Sequence, residues 1–389
     1  MFQGGVEVLR SGVDGEGVTK HILVTGGAGF IGSHLVDALV AKGHAVTILD
    51  SLVPQVHPRK PDYLNPKARY VYKDVREEGV FAPLLTDADA VVHLAAMVGV
   101  GQSMYQVTRY VDTNVGGTAK LLQALVDSEH GVKKLVVASS MSIYGEGAYE
   151  CPTHGPVSPP LRPEAQLAKK EWEVRCPHCG SVVTPVPTPE TKPLQANSVY
   201  AVTKRDQEDL CLAMGRAYGL PTVALRFFNV YGPRQSLDNP YTGVCAIFQS
   251  RIKNDQPPVV FEDGKQTRDF VSIHDIVRGI VLALEKSGAD YEPVNVGSGK
   301  PIAILDVARL LLKLYQSRLA PTVERKFRAG DVRHCSADLT KAKALLGYEP
   351  KVSLEDGMRE LVAWGQGVQA SDRFEEAYKE LRSKGLVEG

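Results

Sequence analysis

His21-Ile22-Leu23-Val24-Thr25, Gly26-Gly27-Ala28-Gly29-Phe30-Ile31-Gly32 and Ser33 to Lys42 read in succession as a short buried strand, a tight turn and a helix with an apolar face. Gly26 and Gly29 let such a turn close and bring the backbone up to a pyrophosphate, whose charge meets the free N–H groups at the helix start. Gly32 lets helix and strand pack closely. Phe30 and Ile31, in the same turn, are counted with the cofactor contacts. A glycine turn alone is a weak signal. It gains weight from a second strand, Ala45 to Leu49, which ends on Asp50. An acid at that place accepts a hydrogen bond from a ribose hydroxyl, so the unit predicts dinucleotide binding. The carboxylate repels the 2′-phosphate of NADP and no arginine directly follows it, which makes NAD the expected cofactor.

Further strands are expected at Tyr70 to Lys73, Ala90 to Leu94 and Lys134 to Ala138, separated by helical patterns such as Val115 to Val126. The alternation predicts an α/β fold with a doubly wound parallel sheet. Ligands of such sheets sit at the carboxyl ends of the strands. Asp74 is placed there to accept a bond from an adenine amino group, with Val75 beside it. Leu94, Ala95 and Ala96 are placed to let the cofactor lie against the backbone, and Asn114 joins the same set. Residues 20–232 are expected to form the NAD-binding domain and 233–389 mainly a smaller substrate lobe that interleaves with it. Residues 1–19 are expected to be a flexible tail.

The chain has 389 residues, 43% hydrophobic and 23% charged, enough to bury a full core. Lys+Arg and Asp+Glu are both 45, so no global field draws it to nucleic acid or to an anionic membrane. No apolar stretch approaches the roughly 20 residues of a spanning helix, and the first twenty residues lack the basic start and apolar run of a secretory signal. Cys211, Cys245 and Cys335 stand singly while Cys151, Cys176 and Cys179 cluster, a pattern of a reducing, cytoplasmic compartment.

The strand Lys134 to Ala138 delivers the chain to Ser139-Ser140-Met141-Ser142-Ile143-Tyr144-Gly145, and a later helical pattern carries Tyr200-Ala-Val-Thr-Lys204. Residues four apart on a helix share a face, so an ammonium at Lys204 stands near the Tyr200 hydroxyl. A tyrosine with a pKa of about 10 needs a shift of roughly three units, about 4 kcal/mol, to act near neutrality. Lys204, a nicotinamide cation and a bond from Ser140 are expected to supply it. Tyr200 then takes a proton from a substrate hydroxyl while hydride leaves the same carbon, and Ser140 holds the oxygen.

The glycine turn, Ser140, Tyr144-Gly145 and Tyr200-x-x-x-Lys204 together resemble the extended short-chain dehydrogenase/reductase family, whose members handle nucleotide sugars. Later runs match as well: Arg226-Phe227-Phe228-Asn229-Val230-Tyr231-Gly232-Pro233, Arg268-Asp269-Phe270-Val271 with Asp275, and Gly330-Asp331-Val332-Arg333 followed by Asp338. The resemblance implies that Asn229, Arg268 and Arg333 hold a nucleotide diphosphate, and guanidinium forks suit phosphate oxygens. It also implies a homodimer paired through the helices of Val115 to Val126 and Ser198 to Tyr218. Phe261 is a candidate to stack on the nucleotide base or to sit in the core.

The two positions after Ser140 narrow the reaction. Members that are 4,6-dehydratases carry an Asp-Glu pair there, 3,5-epimerases a cysteine at the second position, and decarboxylases a carboxylate close to the serine. This chain has Met141 and Ser142, which do no general acid–base work at neutral pH and are left as sugar contacts. Oxidation and re-reduction at one carbon, a 4-epimerisation, needs least equipment and is the expected activity. A non-catalytic NAD-binding scaffold is the competing class, and the intact Ser140, Tyr200 and Lys204 speak against it.

Between the serine and the tyrosine lies a proline-rich stretch, residues 149–195, with Cys151-Pro-Thr-His154 and Cys176-Pro-His-Cys179. The paired knuckles give a full set of soft or borderline ligands in the manner of a zinc ribbon, so a closed structural zinc site on Cys151, His154, Cys176 and Cys179 is expected, with His178 as a substitute ligand. A polar loop and a redox dithiol at Cys176/Cys179 are the other readings. Zinc ribbons also bind nucleic acid, but the insertion lacks the basic cluster this requires.

Overall fold

The computed structural model describes residues 19–328 and 330–388; all but the last residue of the expected tail lies outside them. Seven parallel strands form the central sheet, in the order Pro293–Val296, Thr222–Phe227, Lys134–Ser140, Ala90–His93, His21–Thr25, Ala45–Leu49 and Arg69–Val71. The last of these is shorter than the expected Tyr70 to Lys73 and begins one residue earlier. Val-, Ile- and Leu-rich strands with no polar face must be covered on both sides. One side is closed by Leu35, Val36 and Leu39 of the helix Phe30–Ala41 together with Ile276 and Ile280 of the helix Ile273–Glu285. The other is closed by Leu121 and Leu122 of the helix Gly117–Asp127 and by Cys211 and Leu212 of the helix Val199–Tyr218. The helical pattern expected from Val115 begins earlier, as a π-type turn at Val111–Gly116. Strand order reverses between His21–Thr25 and Ala90–His93, which opens a crevice at the carboxyl edge.

A smaller lobe pairs Asn229–Tyr231 with Thr267–Ser272 in parallel and Thr267–Ser272 with Pro301–Ala303 antiparallel, over a core that includes Phe248, Leu311 and Met358. The insertion forms three antiparallel strands, Gly155–Val157, Ala148–Cys151 and Thr184–Val186. Buried ion pairs weld it to the smaller lobe. Glu262, buried, accepts from both Arg162 nitrogens at 2.9 and 2.8 Å and from Arg333 at 2.9 Å. Glu146, also buried, accepts from the Arg333 backbone at 2.9 Å and from the Tyr149 hydroxyl at 2.8 Å. Buried charges survive only when paired this fully.

His93 ends its strand against Thr25 Oγ1 at 2.7 Å and Thr118 Oγ1 at 3.0 Å. Burial, and secondarily the charge of Lys204, holds its imidazole down at about 3 from the ordinary 6.5. The folded pKa lies below the unfolded one, so this stability is complete above pH 6.5 and is lost as pH falls from 6.5 towards 3, by up to about 1.4 kcal/mol per pH unit for one proton. Urea titrations from pH 7 to pH 4 should therefore show a shallower loss of stability for His93→Gln than for the native chain; equal slopes would show that this proton is not taken up on unfolding.

Candidate active site

The crevice is a cleft of about 930 Å³ that runs from the glycine turn to the smaller lobe. Gly26 has φ +70° and a Cβ on it would sit 2.9 Å from the Ala95 nitrogen; a Cβ on Gly32 would stand 2.2 Å from the Gly26 oxygen. Both positions exclude side chains, so the turn and the helix start lie flat against the sheet edge. The helix Phe30–Ala41 has no side-chain cap and no acid in its first turn, which leaves its N–H groups for an anion. Asp50 accepts from the Ala28 N–H at 3.0 Å and the Leu52 N–H at 2.9 Å, fixing both loops. Gly26, Gly29, Phe30, Ile31, Gly32, Asp50, Asp74, Val75, Leu94, Ala95 and Ala96 all line the cleft, as the sequence implied.

Ser140, Met141, Ser142, Tyr200 and Lys204 line it further in. Ser198 caps the tyrosine helix through the Ala201 N–H, and the Ser103 hydroxyl accepts from the Tyr200 N–H at 3.0 Å. Ser140 Oγ accepts from the Ser142 N–H at 3.2 Å and from its hydroxyl at 2.9 Å. Burial raises the Tyr200 phenol, with a Ser140 hydrogen bond as the opposing influence. Lys204, buried, donates to Gln207 Oε1 at 2.7 Å, and desolvation brings its ammonium down to about 8. The expected acidic phenol is therefore not a property of the folded chain alone, because burial outweighs the Ser140 bond.

Several expectations need correction. Asn114 does not line the cleft: its amide accepts from Met97 N–H at 2.7 Å and donates to Met97 O and Thr203 Oγ1, bracing the loop after Ala96 against the tyrosine helix. Asp74 lines the cleft with both oxygens taking Arg76, at 2.9 and 2.8 Å, so an adenine would meet only its remaining lone pairs. Arg333 is fully buried and spent on Glu262, Asp263 and Glu173, away from the cleft. Arg268 lines the cleft with its guanidinium engaged by Asp331 and the carbonyls of Thr267, Val332 and Arg333. Phe261 lines it with Arg328 across its ring at 4.2 Å.

Arg328 is the residue missed. It lines the cleft, its buried Nε has no partner among the described residues, and desolvation lowers its pKa. The signal was an arginine two places before Gly330, passed over for the one after it. Among the described residues, ten buried side-chain polar atoms lack a partner, and five of them, on Ser139, Asn229, Gln235, Gln266 and Arg328, belong to residues of this one cleft. Unpaired donors and acceptors concentrated in one cavity mark a polar ligand's seat. With the bare glycine cradle they fit a dinucleotide and a second, phosphorylated ligand.

In the insertion, the ligand atoms of Cys151, His154, Cys176 and Cys179 lie within 4.8 Å of one another. Cys151 Sγ is 3.5 Å from His154 Nδ1 and 3.7 Å from Cys179 Sγ, and Cys176 Sγ is 3.6 Å from His154 Nδ1. Zinc–sulfur bonds of about 2.3 Å in a tetrahedron span edges of about 3.7 Å, which these three separations match, so the group could close on a zinc ion. None of these cysteines is in a disulfide, and His178 stays outside the group.

Comparison with known proteins agrees with this geometry. The profile of the NAD dependent epimerase/dehydratase family matches residues 22–171 and that of GDP-mannose 4,6 dehydratase residues 180–361. A dTDP-L-rhamnose 4-epimerase of Burkholderia thailandensis is 39% identical over 362 residues, 92% of this chain and 97% of the relative. The solved UDP-glucose 4-epimerase of Thermotoga maritima, with UDP-glucose, is 33% identical with a TM-score of 0.73, over 89% of this chain and 98% of that one. A UDP-glucuronic acid 4-epimerase of Bacillus cereus, with UDP-glucuronic acid and NAD, is 30% identical, also at 0.73, over 89% and 99%.

Gly32→Ala should cost the chain its dinucleotide, because the methyl group has no room beside the Gly26 carbonyl and the turn must open. Nicotinamide released on denaturation should fall to a few per cent of that from the native protein; unchanged content would show that the turn tolerates the shift.

Proposed function

The chain belongs to the NAD dependent epimerase/dehydratase family, and on that footing we propose that it is an NAD-dependent 4-epimerase of a nucleotide sugar, acting on dTDP-L-rhamnose through a transient 4-keto sugar. The reaction type is carried by the two residues after Ser140. Met141 and Ser142 provide no acid or base, and the acids lining the cleft are already engaged: Asp50 by backbone N–H groups, Asp74 by Arg76 and Asp331 by Arg268. Dehydration and decarboxylation have no residue to serve them.

In this reading the sugar's 4-hydroxyl lies between Ser140 and Tyr200. Ser140 holds the oxygen, and Tyr200 takes its proton and later returns it. Lys204 supplies the positive charge that offsets the burial of the phenol. NAD, held by the glycine turn and Asp50, supplies hydride acceptance and donation at that carbon. Arg328 holds the diphosphate through its unpaired guanidinium donor, Asn229 lines the same part of the cleft and reaches it through its amide NH2, and Arg268 shapes the wall behind them. A structural zinc on Cys151, His154, Cys176 and Cys179 closes the insertion. The exposed Val107, Val111, Val126, Val202 and Tyr218, on or beside the helices Gly117–Asp127 and Val199–Tyr218, support a homodimer through that face. A cytoplasmic enzyme accords with the free thiols.

The sugar rests on the Burkholderia relative and on the run Ser140 to Gly147 followed by the cysteine insertion, which resembles bacterial dTDP-L-rhamnose 4-epimerases. UDP-glucose and UDP-glucuronate are the second reading, favoured by the solved relatives named for those sugars.

Incubation with each nucleotide sugar, followed by anomeric proton NMR, should show interconversion of the dTDP-linked 6-deoxysugar pair; turnover of the UDP sugars alone would move the identity to the second reading. Tyr200→Phe should lower kcat by at least about a hundredfold while NAD stays bound. Full turnover would remove Tyr200 from the chemistry. Elemental analysis of protein purified without chelator should find about one zinc per chain, lost in Cys176→Ser; a metal-free native chain would refute the zinc shell.

A further inference from the structure

The family-profile matches reach no further than residue 361, yet the chain continues into a helix, Phe374–Ser383, and a short strand, Val387–Glu388. This C-terminal segment folds back onto the cleft. Its helix buries Phe374, Ala377 and Leu381 and leaves Glu375, Glu376 and Lys379 outward. Its strand pairs antiparallel with Phe327–Arg328, setting Val387 opposite Arg328. Phe374, Ala377, Tyr378, Leu381 and Leu386 all line the cleft.

Three anchors hold the segment across both halves of the molecule. On the smaller lobe, Arg251 lies over the Phe374 ring at 4.5 Å and pairs with Asp372 and Glu375 at 3.3 Å. On the cofactor side, Leu381 packs so close to Gly101 that a Cβ there would be 2.9 Å from its methyl group. Between them, the Tyr105 hydroxyl donates to Tyr241 at 2.7 Å, and Tyr241 donates to Glu380.

The geometry points to a strap, residues 372–388, that completes the nucleotide end of the substrate site, with Phe374 and Tyr378 as the wall against which the pyrimidine base of the nucleotide sugar lies. The inference rests on the functional reading above. If the sugar sits at Ser140 and Tyr200 and the diphosphate at Asn229 and Arg328, the base falls beyond Arg328. There the rings are Phe261, under Arg328, and the pair Phe374 and Tyr378, 5.9 Å apart, over which Arg251 and Lys326 lie; of the three rings Tyr378 is the least buried and offers the base most surface. Stacked aromatics accept a flat base without needing hydrogen bonds to it. The strap also fixes the cation: the strand pairing at Val387 holds the backbone of Arg328. Tyr378 is thus a binding residue, and Val387 a positioning one.

The native chain, Tyr378→Ala, Tyr378→Phe and a chain ending at Ala370 test this. In Tyr378→Ala and in the shortened chain, KM for the nucleotide sugar should rise tenfold or more while kcat changes less than threefold and bound NAD is retained; Tyr378→Phe, which keeps the ring, should restore KM. In the native chain, dTDP should protect Arg373, Lys379, Arg382 and Lys384 against trypsin. KM within twofold of native in Tyr378→Ala, or cleavage at those four sites unaffected by dTDP, overturns the proposal. If the shortened chain loses NAD and kcat together, Tyr378→Ala decides. A native chain that turns over no nucleotide sugar refutes the functional reading, and dTDP protection then still decides the strap.

Discussion

The helix start packs on the glycine turn so tightly that Gly32 has no room for a Cβ beside the Gly26 carbonyl, and the layout of the cleft depends on that contact. Because the helix start rests on the turn without intervening side chains, its free N–H groups reach the sheet edge, and Ala95 meets the turn from the next strand. From that edge the strand Lys134–Ser140 presents Ser140, and the tyrosine helix crosses above it. A methyl group at either glycine would collide with backbone, 2.9 Å from the Ala95 nitrogen or 2.2 Å from the Gly26 oxygen, so the layer would have to shift.

Charge in the smaller lobe obeys a different constraint. Four arginines, Arg162, Arg268, Arg328 and Arg333, converge near the nucleotide end, and a lobe of this size cannot bury them all unpaired. Glu262, Asp263, Glu173, Glu146 and Asp331 neutralise three of them, which leaves Arg328 facing the cleft with a ring beneath it. The same pairing binds the insertion to the lobe, so the strands that carry the Cys/His cluster and the Arg328 end of the cleft are tied together through Arg162 and Glu262.

This division explains what the sequence could disclose. The sheet, the glycine turn, the serine, the tyrosine–lysine pair and the cysteine knuckles depend on spacing within one element or one loop, and a linear reading finds them. The burial of Arg333 away from the cleft was not legible because the carboxylates that take it, Glu173 and Glu262, are remote in the chain and meet it only in the fold. Asn114 failed for a similar reason: Met97 and Thr203 take its amide from two separate elements. The C-terminal helix carries no catalytic residue type, and its amphipathic pattern is that of any surface helix, so only its place over the cleft gives it meaning.

The phenol is the remaining problem, and it bears on why the site is built as a closed assembly. Burial alone raises Tyr200, while Lys204 spends its charge on Gln207 and is itself brought down to about 8. In the chain without its ligands the phenol therefore stays protonated, while Lys204, at about 8, is still largely an ammonium at pH 7. Proton transfer becomes favourable only when further positive charge enters the cleft beside the phenol. On the proposed function the base would become active only in the loaded site, and the proposed strap at the far end would help keep water from screening that charge.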